Sequence, residues 1–361
     1  MTVDFESVRP PQTEAAEPLP AGRATAGQNP RAASNAAVGS FGPLIGMLRG
    51  CATSEAGILR RPMLVVFAGD HGVSALGVSA HPTSETARRA KSLAGGSAPI
   101  SAPAASAGIG VRVIDIAVDA DLTNSGVDTG VKVRRSSGRI DIEDALSEQE
   151  AQSALTAGKK IADEEIDGGA DLLIGSLCGV GASTAAAVVV AGLTGMEPVE
   201  ATTRGSGIGD AAWIRKVAAV RDSLYRMRLA GTDAFTMLRL AGGADLAALT
   251  GFLAQSAVRG VPVLIDDVAS TAAALMANRL APGADAYLIA TSLSPERSHR
   301  RLLDLLGRDP LTAWSLRVGS GAGAVLLVPT IRTVAEWADT GSEPESVRTA
   351  DAVADWDPEL F

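Results

Sequence analysis

Short β-branched, apolar runs alternate along this chain with longer Ala- and Leu-rich segments, the pattern of strand, loop and helix repeated. Six runs read as strands: Met63 to Ala68, Val111 to Ile116, Asp171 to Ile174, Val261 to Ile265, Ala286 to Ala290 and Ala324 to Val328. Their apolar character is continuous rather than alternating, which suits strands covered on both sides. Between them, Ser147 to Asp163 has the acidic first turn and spacing of an amphipathic helix. Thr184 to Leu193 and Ser270 to Leu280 are apolar enough for a helix only inside a core. Strands interleaved with helices predict an α/β fold with a parallel sheet and helices on both faces. The first thirty or so residues and the acidic last twenty show neither period and are read as loose or draped over the body.

Composition narrows the function. Of 361 residues, 46% are hydrophobic and 20% charged, so a large core is available, and aromatics at 3% leave small side chains to pack helix on strand. A formal charge of −9 speaks against nucleic acid or an anionic membrane as partner, since phosphate polymers need basic stripes. Two cysteines, Cys51 and Cys178, make no disulfide framework, and three histidines make no zinc-type cluster. No uninterrupted apolar run reaches membrane-spanning length, and the acidic, proline-bearing start has no signal-peptide order. A cytoplasmic protein is expected.

Ligands of such sheets bind beyond the carboxyl ends of the strands, so the glycine-rich junctions carry the chemistry. Gly69-Asp70-His71-Gly72 sets an acid and an imidazole in a tight turn, either as site groups or as a strand-ending cap. Gly179-Val180-Gly181-Ala182-Ser183, ahead of a helix, offers free N–H groups and a positive dipole end to a phosphate, or is a plain capping loop. It is neither a Walker sequence nor a dinucleotide fingerprint, which removes support for an oxidoreductase. Arg204-Gly205-Ser206-Gly207 leads to a helix with Lys216, a point charge for an anion or a solvated helix residue. Asp266-Asp267 pairs two acids after a strand, for a ribose hydroxyl, a metal or a helix N-cap. Ser320, in Gly319-Ser320-Gly321, has no histidine in a nucleophile-elbow pattern.

The order and spacing of these pieces resemble the nicotinate-nucleotide–dimethylbenzimidazole phosphoribosyltransferase family from about Pro62 to Pro329. The matching segments include VVFAGDHGV, GVSAHP, AGGSAPI, VRVIDIAVDAD, GVGASTAAA, GSGIGDAAWIRK, LAGGADLAALTGF, PVLIDDVASTAAAL and LRVGSGAGAVLL. The resemblance implies a large Rossmann-like domain over 61–329, a small helical domain from 31–60 and 330–345, a draped segment 1–30 and an acidic tail 346–361. It also implies a homodimer that uses neither metal nor organic cofactor. The implied reaction moves phosphoribose from nicotinate mononucleotide to a benzimidazole nitrogen with inversion, in cobamide biosynthesis. Such a displacement needs an anchored phosphate, a flat slot for the aromatic base and a carboxylate to take its ring proton.

Carried over by residue, the resemblance assigns phosphate binding to Gly179, Gly181, Ala182 (in place of an asparagine), Ser183, Gly205, Gly207 and Lys216. It assigns the acceptor or nicotinate pocket to Asp70, His71, His81, Arg89, Leu177, Ser294 and Val318. Ser320 occupies the slot of the proton-accepting glutamate, and Leu177 that of a second acid. Arg88 and Arg89 stand where a glutamine and apolar groups line the family's slot. The departures cluster on the acid and acceptor side and spare much of the phosphate side. Two readings follow: an active phosphoribosyltransferase with this or a related aromatic base, or a degenerate paralogue that binds nucleotide alone or within a heteromer.

Overall fold

Successive side chains of a strand face opposite sides of its sheet, and β1 (Pro62–Gly69) supplies both sides with apolar groups. Val65 and Phe67 enter one core layer, while Leu64, Val66 and Ala68 enter the other. The computed structural model describes residues 3–11, 38–52 and 58–339. β2 (Gly110–Ala117), β3 (Leu172–Cys178), β4 (Val263–Ile265) and β5 (Leu288–Ala290) complete a five-stranded sheet in the order β2-β1-β3-β4-β5. Every pairing is parallel. The chain reverses its direction of growth between β1 and β3, and there a sheet of this order leaves a crevice at the strand ends.

The helices that build the layers are α1 (Phe41–Cys51), α2 (Ser84–Ala94), α3 (Glu148–Asp167), α4 (Ala182–Thr194), α5 (Asp210–Ala230), α6 (Gly243–Val258), α7 (Val268–Leu280), α8 (Arg297–Leu306) and α9 (Ala322–Asp339). α3 starts with a full capping box between Ser147 and Glu150, as its acidic first turn predicts. α6 continues a helical stretch from Ala234; this segment is long and apolar enough to cross a membrane, and its most apolar window is 94% buried inside the fold. Phe252 of α6 meets Phe67 edge to face, 5.6 Å between centroids. Residues 3–11 lie on the body: Lys159 sits 5.5 Å over the Phe5 ring, and the Tyr287 hydroxyl donates to the Arg9 carbonyl at 2.8 Å.

Two expectations are corrected. Ala324 to Val328 forms no sixth strand; it belongs to α9. Within it Leu326 faces outward while Val325, Leu327 and Val328 are buried against Leu64 and Ile174, a helical rather than alternating pattern. A five-residue apolar run is ambiguous between a buried strand and a core helix, and here the helix covers the sheet. β3 also extends to Cys178, so Gly175 to Cys178 are strand and the loop begins at Gly179. α9 crosses position 329, and Ala335 and Ala338 at its far end pack on Val38 and Ile45 of the α1 region. Residues 12–37, 53–57 and 340–361, with most of the N-terminal segment and the whole acidic tail, lie outside the described residues.

α3 and α6 approach closely because Gly158 lacks a side chain: a Cβ there would stand 1.8 Å from the Ala248 carbonyl oxygen. Gly158→Ala is therefore expected to lower unfolding free energy by at least ~1–3 kcal/mol, the range for overpacking. Urea denaturation at an unchanged m-value reads it.

Candidate active site

α4 begins without a side-chain cap, at Gly181 with φ of 94°, so its first amides remain available. The loop before it is held from behind. Thr86 donates its hydroxyl to Asp70 Oδ1 at 2.5 Å and accepts from the Val180 amide at 2.9 Å, which ties the acid after β1 to the loop after β3. Asp70 also accepts from the Asp119 amide at 2.9 Å. Burial raises its carboxyl above the usual range, and these hydrogen bonds pull against that shift. His71 lies beside the same loop, its Nε2 3.0 Å from Asp245 Oδ2, with both side chains buried. Burial lowers the imidazole, but the charge and hydrogen bond of Asp245 outweigh it and leave the ring's pKa above its ordinary value.

In front of the loop, Lys216 rises from the second turn of α5 with 1% exposure. Its Nζ donates to Ser183 Oγ at 2.9 Å and to the Thr203 carbonyl at 3.1 Å. Burial pushes the ammonium down to about 8, with Glu296 opposing that shift. Gly205 closes against the pair, and a Cβ on it would meet Ser183 Oγ at 3.0 Å and Lys216 Nζ at 3.2 Å. Arg204 shapes this loop by donating to the Ile208 carbonyl at 3.0 Å and to Asp210 at 2.5 Å.

A cleft of about 600 Å³ opens from this cluster. Ser183, Thr203, Gly205 and Gly207 line one end; Asp267, Ser294, Glu296, Arg317 and Gly319 line the rest. Glu296 is half-buried, and burial raises its carboxyl; the Thr203 hydrogen bond, Lys216 and Arg317 oppose the rise, whereas the charge of Asp267 adds to it. Asp267 caps α7, accepting from the Ser270 amide at 2.8 Å. Its neighbour Asp266 accepts from Thr291 Oγ1 at 2.8 Å and from the Gly323 amide at 2.9 Å, which fastens the first turn of α9. Burial and the adjacent Asp267 charge push Asp266 up to about 6. Gly319, Ser320 and Gly321 all have positive φ, 69°, 54° and 72°, and form the turn that leads into that helix.

Ser294 is set by His299, whose Nδ1 accepts the Ser294 amide at 3.0 Å while Nε2 donates to Thr271 Oγ1 at 3.0 Å. Thr271 in turn donates to the Asp267 carbonyl at 2.8 Å. This chain requires a neutral ring. Burial, the largest cause, holds His299 down at about 4.

Among the residues assigned from sequence to phosphate, Ser183, Gly205 and Gly207 line the cleft and Lys216 bonds Ser183, while Gly179, Gly181 and Ala182 form the loop and helix start behind them. Of the pocket set, only Ser294 lines the cleft. Asp70 and His71 are buried behind the loop: Asp70 is tied to it through Thr86, while His71 bonds Asp245 and its Nδ1 has no partner among the described residues. His81 accepts from Arg89 at 2.9 Å on the surface, where Arg89 also pairs with Glu85. Leu177 is half-buried against the core, and Val318 is 63% exposed. Ser320 sits half-buried in its turn next to the cleft residue Gly319. Sequence reasoning missed Thr203, whose contribution to Lys216 is a backbone carbonyl that no motif marks. Among the described residues no three His, Cys, Asp or Glu side chains gather to hold a metal ion.

A parallel sheet whose strand ends carry an uncapped helix start, a glycine loop and a buried ammonium defines a protein that handles a phosphorylated small molecule. The family model described as Phosphoribosyltransferase matches residues 14–346. The nicotinate-nucleotide–dimethylbenzimidazole phosphoribosyltransferase of Mycobacterium avium is 52% identical over 272 residues, 75% of this chain and 78% of that one. That of Mycobacterium tuberculosis is 49% identical over 301 residues, 81% and 83% of the two chains. CobT from Thermus thermophilus superposes with a TM-score of 0.78 at 34% identity, covering 87% of this chain and 92% of its own. The chain belongs to the nicotinate-nucleotide–dimethylbenzimidazole phosphoribosyltransferase family.

The neutral His299 has a pH signature. Its folded pKa of about 4 lies below the ordinary 6.5, so the unfolded chain binds the extra proton between those values and acid destabilises the fold. Wild type is expected to lose up to roughly 3 kcal/mol on this account as pH falls from about 6.5 to about 4, a loss absent from His299→Gln. The stability gap between the two proteins, read by urea denaturation at pH 7 and pH 4.5, should close accordingly.

Proposed function

We propose that this protein transfers the 5-phosphoribosyl group of nicotinate mononucleotide to 5,6-dimethylbenzimidazole or a closely related aromatic base, releasing nicotinate and an α-ribazole-type 5′-phosphate for cobamide biosynthesis. The observation that carries this reading is the buried ammonium of Lys216 beside the uncapped start of α4, opening into a cleft long enough to hold more than a phosphate. The phosphate takes Lys216, Ser183 and the uncapped first amides of α4, and the ribose extends toward Glu296. In the displacement, the base's lone-pair nitrogen forms a bond to the anomeric carbon as the bond to the nicotinate ring nitrogen breaks. The leaving electron pair neutralises the pyridinium, so nicotinate departs without needing a proton. Positive charge grows on the sugar in the transition state, where a nearby carboxylate such as Glu296 is favourable.

The protein acts in the cytoplasm as a dimer of identical chains, and the α1 and α9 contact is the centre of a small lobe drawn from both chain ends. It needs no metal or organic cofactor.

The test is nicotinate release by the purified chain, followed by chromatography with nicotinate mononucleotide and 5,6-dimethylbenzimidazole. Turnover by this chain alone is the expected result; no release with any benzimidazole overturns the reading. Lys216→Ala should raise the Kd for nicotinate mononucleotide about 10- to 100-fold, the worth of one charge-assisted hydrogen bond. Its affinity for the neutral base should stay unchanged, as isothermal titration calorimetry can read.

A further inference from the structure

A benzimidazole that attacks through one ring nitrogen becomes a cation until the N–H on its other nitrogen is lost, so the transfer proposed above needs a proton acceptor at the base end of the cleft. Ser320 cannot serve, because a hydroxyl without a basic partner does not hold a proton at neutral pH. The other acids are committed elsewhere. Asp70 is sealed behind the loop with both carboxylate oxygens bonded, Oδ1 to Thr86 and Oδ2 to the Asp119 amide. Asp266 has both oxygens occupied as well, by Thr291 and the Gly323 amide. Asp210 is a surface group paired with Arg204. Glu296 bonds Thr203, next to the Lys216 cluster at the sugar-phosphate end.

Asp267 is different on each count. It lines the cleft together with Gly319, the residue before Ser320. Its position is fixed by the capping box with Ser270, which uses Oδ1 and leaves Oδ2 with no protein partner among the described residues. Its neighbour Asp266 grips the Gly323 amide, so the start of α7 and the Gly319–Gly321 turn are fastened to each other on one wall of the cleft. A carboxylate on α7 therefore stands beside the turn that lacks one.

We propose that Asp267 is the catalytic base of this chain, taking over from α7 the proton-accepting role that Ser320 cannot fill. Resting on the transferase reading, the step balances as follows. The C1′–nitrogen bond to the base forms and the C1′–nitrogen bond to nicotinate breaks with its electron pair going to nicotinate. The N–H proton of the new benzimidazolium then passes to Asp267 Oδ2, and from there to water.

Asp267→Asn keeps the helix cap, since asparagine caps as well as aspartate, and removes the base. With 5,6-dimethylbenzimidazole its kcat should fall about 10²- to 10⁴-fold, the usual worth of a general base. With 1-methylbenzimidazole, which has no ring proton to lose, wild type and Asp267→Asn should turn over at the same rate. Adding Ser320→Glu to Asp267→Asn should restore turnover of 5,6-dimethylbenzimidazole by returning a carboxylate to the cleft from the neighbouring turn. An equal loss on both acceptors, or no loss on either, overturns the role of Asp267 while leaving the transferase intact. Wild type inactive on both acceptors overturns the transferase reading, and this assignment with it.

Discussion

An ammonium group taken almost wholly out of water is costly unless something negative is brought to it. Lys216 is held in that condition by neutral partners only, a serine hydroxyl and a main-chain carbonyl, with the Glu296 carboxylate close enough to be felt. The protein holds it there because α5 and the Arg204 loop fix the side chain, and the partial positive charge of the adjoining helix start adds to the cost. The site thus carries electrostatic tension of one sign. In the proposed reading a phosphate relieves it by accepting from the lysine and the first amides of α4 together.

Around that centre the structure uses its buried acids as fasteners. Asp70 works through Thr86 on the Val180 amide, and Asp266 holds Gly323 at the start of α9. Asp245 fixes His71 beside the loop. Each joins the end of one strand to the loop or helix that follows another, so the edges of the cleft are set by the sheet rather than by flexible loop residues. The neutral His299 does the same for Ser294 through Thr271. These groups look like site residues in a sequence because they sit at strand ends and are polar, and most of their polar atoms bond the scaffold, His71 Nδ1 excepted.

The sheet was legible where apolar character was continuous, as in β1 and β2, since strands buried on both faces show that pattern; at β5 only Leu288 to Ala290 of the expected run is strand, Ala286 and Tyr287 belonging to a 3-10 turn. It was misleading at Ala324 to Val328, where the same apolar character comes from a helix laid across the sheet. Ser183, Gly205, Gly207 and Lys216 were legible as a group through family resemblance, although Lys216 by itself reads as a surface residue. The burial of Asp70 and His71 was not legible, because a polar pair in a strand-end turn reads as exposed, and neither was Thr203, whose backbone carbonyl has no signature. Asp267 was legible as a helix cap, which it is, but its second oxygen facing unclaimed space emerges only in three dimensions.

α9 begins at the lip of the cleft, clamped there by Asp266, and finishes where Ala335 and Ala338 rest on Ile45 from the other end of the chain. One continuous helix, with Pro329 in its middle, thus runs from the Gly319–Gly321 turn to the seam between the two chain ends. The packing of Ala335 and Ala338 on Ile45 therefore shares its helix with the Gly323 amide that Asp266 grips beside the cleft.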